Sequence, residues 1–302
     1  MQAAGHIVRQ GTSNRARCLQ NDPNSNWVYL DMYDPSSYAN ALSGCRSVVY
    51  LFHGLGSGPD YAAREASAAA HFRDVATAMG IERVVYLGGV VPSTPSSQHL
   101  ESRRATGQIL RDGSMLVVEL RAAMIIGKGS VSFNLIRDLA VRLPVVALPP
   151  WLDGGSCPIA IDDVAYAIVK SLHSNLSASS CYDLPGPEWI THRQLLERVS
   201  SLLGTHVIGR RLSSVTTGIA AKLLGLISRE PYPVIAELVA GLPCDLTPRG
   251  DSFWTLINEV PARSIMAAIL DALADETSQI DPSNATQERL VRRVRQNENH
   301  ST

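Results

Sequence analysis

Two histidines and two arginines stand where chemistry could be done. His99 and Arg103 are four residues apart in a stretch of helical spacing, so one turn brings them to one face. An imidazole there can donate or accept a proton near neutral pH, and a guanidinium beside it can hold an anion or hydroxyls. A solvated helix face is the competing reading, because Glu101 and Arg104 are charged too. His53 closes an apolar run and precedes Gly54-Leu-Gly-Ser-Gly58. A cofactor-lining imidazole and one bonded to a loop carbonyl weigh about equally there. Arg121 follows another apolar run, so its charge must be paired or face a cleft. With Glu119 two positions earlier, a structural ion pair is as good an account as a ligand contact.

Other motifs fall short. The run after His53 is not G-x-G-x-x-G, because Pro59 follows Gly58. Leu51-Phe-His-Gly-Leu-Gly-Ser57 looks like the His-Gly oxyanion loop of α/β-hydrolases, the weaker alternative class. Such an enzyme needs a G-x-S-x-G elbow, and the sequence has none. Gly127-Lys-Gly-Ser130 resembles the end of a P-loop, but Ala122 stands where its first glycine belongs. Asp162 and Asp163 read as helix caps, with no metal implied.

The elements that must position these groups alternate. Strands are predicted at residues 6–9, Asn26–Asp31, Ser47–Phe52, Val84–Leu87 and Leu116–Leu120, with Gln10–Arg17 as a polar turn. Helices are predicted at Asp34–Ser43, Asp60–Met79, Gln98–Arg111 and Ser130–Arg142. The pattern implies an α/β chain of βαβ units with a parallel sheet. Ligands of such sheets bind outside the carboxyl ends of the strands, so the breaks after Phe52, Leu87 and Leu120 are where a site belongs. Ile159–Ser171 then reads as strand into helix, Cys181–Pro187 as a short strand, and Thr191–Leu203 as a helix. Thr205 to about Ala274 reads as interrupted helices. The domain expectation is a Rossmann-like domain over 1–170 and a substrate lobe over 171–275. Within it, 181–204 packs back on the core, and 276–302 is a polar tail.

Bulk composition narrows the partners. Lys plus Arg is 27 and Asp plus Glu is 28 in 302 residues, so no net field draws in nucleic acid. No apolar run reaches the roughly 20 residues of a membrane span. Five scattered cysteines without a CxxC read as reduced thiols in a cytoplasmic protein. The apolar faces Leu223–Ile227 and Val234–Leu242 read first as core packing, then as a homodimer contact or a membrane-surface contact.

Seven landmarks fall in register. They are Val28-Tyr-Leu-Asp31 with Asp34, Val49-Tyr-Leu-Phe-His53, Val84-Val-Tyr-Leu-Gly-Gly89 and His99-Leu-Glu-Ser-Arg103. Glu119-Leu-Arg-Ala122 leading to Ile125-Ile-Gly127, Pro158-Ile-Ala-Ile-Asp-Asp-Val164 and Tyr182-Asp-Leu-Pro-Gly-Pro187 follow. On these, Trp27 to Gly204 resembles the atypical short-chain dehydrogenase/reductases, the NmrA-like NAD(P)-binding Rossmann group. The resemblance implies NAD or NADP as cofactor, and reduction or isomerisation of a small carbonyl substrate. The alternative it carries is a non-catalytic NAD(P)-sensing or scaffold protein. It implies that Asp31 contacts the adenine edge and that Phe52, His53 and Gly54 line the cofactor. Gly88 and Gly89 would sit beside the nicotinamide, with Arg121, Ala122 and Ile125 at its carboxamide. His99 and Arg103 take the places of a catalytic Tyr and Lys, so a phenol relay is lacking. Arg15 or Arg17 would meet a 2′-phosphate. The family also begins with a strand and G-x-x-G-x-x-G, whereas Met1–Gly5 aligns with the end of the helix after that turn. The expectation is therefore a sheet without its central strand and with weakened or lost nucleotide binding. An upstream start, a different sheet closure and a decayed paralogue are the three accounts of it.

Overall fold

The computed structural model describes residues 1–92, 97–142, 145–205, 208–211, 216–228 and 230–277. In chain order these form β1 (Gln10–Thr12), α1 (Arg15–Asn21), β2 (Trp27–Tyr29), α2 (Tyr38–Leu42), β3 (Ser47–Tyr50), α3 (Tyr61–Ala78), β4 (Arg83–Gly89) and α4 (Gln98–Arg111). Next come β5 (Leu116–Ala122), β6 (Ile125–Ile126), α5 (Val131–Arg142), β7 (Val145–Leu148), β8 (Gly155–Ser156), β9 (Ile159–Ala160) and α6 (Ile161–His173). Then follow β10 (Ser180–Asp183), β11 (Ile190–Thr191), α7 (His192–Leu202), β12 (Ile208–Arg211), α8 (Thr217–Ile227), α9 (Tyr232–Gly241), α10 (Phe253–Ile257) and α11 (Ile265–Thr277).

Two compact units divide the chain discontinuously. The first comprises Met1–Gly89, Glu101–Arg121 and Ala165–Tyr182. Its main sheet runs in the order β10-β5-β4-β3. β3 and β4 pair in parallel from Ser47↔Arg83 to Tyr50↔Tyr86. Val84, Val85 and Tyr86 are wholly buried, as the β-branched run requires. An aromatic cluster fills the core: Tyr50 meets Phe72 at 4.9 Å and Tyr86 at 5.8 Å between ring centroids, both edge-on. Gly80, at φ 73, closes the turn that brings α3 back into β4.

β1 and β2 form a separate parallel pair, registered Gln10↔Trp27 to Thr12↔Tyr29. Among the described residues β3 is an edge strand, with β4 as its one ladder neighbour.

The predicted strand at residues 6–9 does not form, and Ile7 is fully exposed. The strand lies three residues on, inside the predicted polar turn, because Gly11 leaves room for Leu30: a Cβ there would stand 2.6 Å from Leu30 Cδ2. The rest of that turn is α1, opened by Asn14, whose side chain accepts from Arg17 N.

The second unit holds Val90–Leu100, Ala122–Val164 and the chain from Asp183 onward. Its strands form two-stranded ladders: β6 with β9, β8 with β11, and β7 with β12. Phe133, Ile126, Leu195, Val199 and Ile269 build its core. Thr191 and Gln194 close a capping box at the start of α7. β12 interrupts the helical run expected over 205–274. Asp162 and Asp163 fall inside the first turn of α6 and do not cap it. Asp163 instead accepts from Ala262 N and Arg263 N, both at 3.1 Å, and Asp162 pairs with Arg263. Most of the predicted tail lies outside the described residues. All five cysteines are free thiols. No helix among the described residues is long and apolar enough to cross a membrane.

Candidate functional site

In the first unit the tips of β3 and β4 carry the expected residues. β3 releases the chain at Leu51, and Gly54 turns it: its N–H donates to Glu65 Oε2 at 3.2 Å. Glu65 is wholly buried and also accepts from Ser102 Oγ at 2.9 Å and Thr106 Oγ1 at 3.4 Å. One carboxylate on α3 thus fixes both the loop after β3 and the helix α4. Sequence reading missed Glu65. Its signal was position: it shares a helical face with Ala68, Ala69 and Phe72, all buried, in an otherwise Ala-rich segment.

Arg103 is 9% exposed and satisfies its charge inside the unit. One guanidinium nitrogen bonds the Leu87 carbonyl, and the group lies 5.2 Å over the Tyr86 ring. Its Nη1 has no hydrogen-bond partner among the described residues, nor has the buried Tyr50 hydroxyl. Tyr86 donates to the Arg103 carbonyl at 3.0 Å, and burial pushes its phenol up to about 12. Part of His53 reaches solvent, yet burial of the rest, helped by the Arg103 guanidinium, holds its imidazole below the ordinary value. His53 is exposed at the strand tip, where its imidazole can exchange a hydrogen bond with a ligand.

Gly88 is buried, and a Cβ there would lie 3.1 Å from Tyr86 Cε1 and 3.2 Å from Glu119 Oε1; Gly89 follows at the strand end. Phe52 meets Tyr33 edge-on at 5.4 Å. Asp31 stands in the turn after β2, accepting from Tyr33 N at 2.8 Å. Arg121 is bound to Glu119 at 2.8 Å, so the ion-pair account of it holds. Glu119 is wholly buried and Arg111 completes the pair from its other side. Arg15 and Arg17 are exposed on α1.

The other predicted residues belong to the second unit. Ala122 is buried, and its carbonyl accepts from Val90 N. Ile125 pairs with Ile159, and its carbonyl accepts from Ser130 Oγ at 2.6 Å, which makes Gly127–Ser130 a plain turn. His99 donates its backbone N–H to Glu237 Oε2 and lines a cavity of about 220 Å³. Thus His99 and Arg103, one turn apart on α4, serve different units.

That cavity lies wholly within the second unit, under α5, α7, α8 and α9. Leu135, Ile136, Trp151, Leu224 and Leu242 are among its walls. Sequence reading missed two of its polar members, Glu237 and His192. His192 is 3% exposed, hydrogen-bonded to the Leu242 backbone, and burial pulls its imidazole down to about 4. Its Nε2 has no partner among the described residues, which assigns the Leu242 bond to Nδ1.

Among the described residues no group of three or more His, Cys, Asp or Glu could hold a metal ion. Fit to a dinucleotide is uneven. The unpartnered Arg103 Nη1 suits a hydroxyl acceptor such as a ribose offers, whereas the Cβ positions of Gly54 and Gly88 face the protein's own side chains. A strand–turn–helix with G-x-x-G-x-x-G, which would hold the pyrophosphate, does not occur among the described residues.

No family model matches the sequence, and no curated protein matches it. Solved structures do. A nucleoside-diphosphate-sugar epimerase from Staphylococcus aureus matches with a TM-score of 0.69 at 16% identity, covering 89% of this chain and 93% of that one. Triphenylmethane reductase from Citrobacter sp., complexed with NADP(H), matches at 0.68 and 16% identity, covering 88% and 90%. An NADPH-dependent quinone oxidoreductase from Escherichia coli, complexed with NADPH, matches at 0.64 and 17%, covering 87% and 89%. Likeness at such identities establishes the fold, a Rossmann-like α/β chain.

Proposed function

We propose that this chain binds NAD(P)H at the strand tips of its first unit and reduces a small carbonyl or quinone compound, in the manner of an NmrA-like reductase. Hydride would pass to the acceptor carbon, and a proton from solvent or a nearby acid would complete the reduced product. The observation that carries the reading is the likeness, over nearly the whole of both chains, to reductases solved with NADP(H) or NADPH bound. The residues that would hold the nucleotide are Asp31, Phe52, His53, Gly54, Gly88 and Gly89, with Arg103 Nη1 turned to a ribose hydroxyl. His53 is the imidazole among them.

Titration of the purified protein with NADPH and NADH, followed by calorimetry, is the test. Micromolar binding of either supports the reading; no binding of both at millimolar nucleotide refutes it. A second reading, nucleotide sensing without turnover, is favoured by one observation. Arg103, which takes the place of the catalytic Lys, is bonded to the Leu87 carbonyl and stacked on Tyr86. Binding without any oxidation of NADPH by a panel of quinones and aldehydes would select it.

A further inference from the structure

The cavity of the second unit has a charge pattern that selects among substrates. Its walls are mostly apolar; Glu237 is the one carboxylate, His99 and His192 are the imidazoles, and no Arg or Lys lines it among the described residues. A phosphate or carboxylate brought into such a place would lose its hydration with no cation to replace it. Glu237 is half-buried, and as a carboxylate it supplies an acceptor and no donor to an anion. Its Oε2 also receives the His99 N–H at the start of α4, which anchors the carboxylate in the wall. The volume, about 220 Å³, exceeds the roughly 150 Å³ that admits benzene to an engineered apolar cavity. Trp151 supplies an aromatic wall. Leu223 lines the cavity and is also 52% exposed, so the lining continues onto the outer face of α8, where Leu226 is 83% and Ile219 48% exposed. An apolar compound meets an apolar surface before it reaches the interior.

We propose that this cavity binds a lipophilic ring compound that is uncharged or cationic, and turns away anions, nucleoside diphosphates included. The inference goes beyond the reductase reading and concerns the second unit alone. The binding itself needs no nucleotide. Of the activities carried by chains of this fold, it sets nucleoside-diphosphate-sugar chemistry aside.

Three probes with one ring test it by calorimetry in the absence of nucleotide: naphthalen-2-ylmethanol, naphthalen-2-ylmethylammonium and naphthalene-2-carboxylate. The alcohol and the ammonium should bind, and the carboxylate should be weaker by about 10-fold or more. Glu237→Gln keeps an acceptor for the His99 N–H while removing the charge. It should reduce the ammonium's advantage over the alcohol and strengthen the carboxylate several-fold. Ala220→Trp, which fills the cavity and removes nothing, should abolish binding of all three in a protein that still melts cooperatively. The proposal is overturned if the carboxylate binds as tightly as the alcohol, if none of the three binds at millimolar concentration, or if binding survives Ala220→Trp. Failure to bind NADPH with these affinities intact would refute the reductase reading alone.

Discussion

Replacing His192 by asparagine should flatten the acid side of the stability curve. The imidazole is 3% exposed and its pKa falls from 6.5 to about 4 in the folded chain. The unfolded chain therefore takes up the proton first as pH falls. The contribution of the neutral ring is full above about pH 6.5 and is lost as pH drops toward 4. At pH 5 the unfolded imidazole is almost wholly protonated and the folded one barely so, which makes the loss between pH 7 and pH 5 about 2 kcal/mol. Asparagine places an amide N–H where Nδ1 donates to the Leu242 carbonyl, so one hydrogen bond remains while the titration disappears. The smaller side chain lowers stability at every pH, but that offset does not vary with pH. Urea denaturation of both proteins at pH 7.5, 6 and 5 gives the answer as a difference of slopes. The wild type should lose about 2 kcal/mol more than the variant over this range. Parallel curves would refute the account of a buried, neutral His192.

Three further outcomes are expected. Gly107→Ala, which in a helix usually gains up to about 1 kcal/mol, should instead cost about 1–3 kcal/mol in thermal unfolding. The new methyl would stand 2.7 Å from Oε1 of the wholly buried Glu119. Glu65→Ala leaves the Gly54 N–H, Ser102 and Thr106 without their acceptor and should cost about 2–4 kcal/mol. Glu65→Gln keeps one oxygen and should cost about 1 kcal/mol or less by the same denaturation assay. Arg103→Met removes a cation that holds the His53 imidazole down, so its pKa should rise, as read from the ring proton shifts in NMR.

The strand tips were legible because buried parallel strands leave a strong trace. The β-branched run at 83–87 is found where the sequence puts it, but β4 continues through Gly88 and Gly89 and β5 through Ala122, because glycine and alanine do not interrupt a ladder that has neighbours to pair with. α4 and the Thr191 cap are equally local signals, and their bounds agree with the sequence reading almost to the residue. The first strand was misplaced by three residues, because the choice between 6–9 and 10–12 rests on Leu30 filling the space over Gly11, a contact 19 residues away. The site divided more than the sequence indicated. Helical spacing put His99 and Arg103 on one face, but tertiary partners decide use. Arg103 turns to Leu87 and Tyr86, while His99 joins Glu237 and the apolar cavity. His192 escaped notice because nothing in its neighbourhood marks a histidine at the first turn of an amphipathic helix as buried.

The detached β1–β2 pair has a dynamic consequence. Its ladder is three residues long, and it joins the first unit through Leu30 and the Arg9 bonds to the Ala41 and Ser43 carbonyls. So short a ribbon opens by itself, well below the free energy of global unfolding. Amide deuterium exchange should find Gln10–Thr12 and Trp27–Tyr29 quick while β4 and β5 stay slow. Asp31 rides on the quick segment, His53 and Gly88 on the slow frame. A nucleotide touching both must quiet the ribbon as it lands, and the entropy of that quieting is subtracted from its affinity.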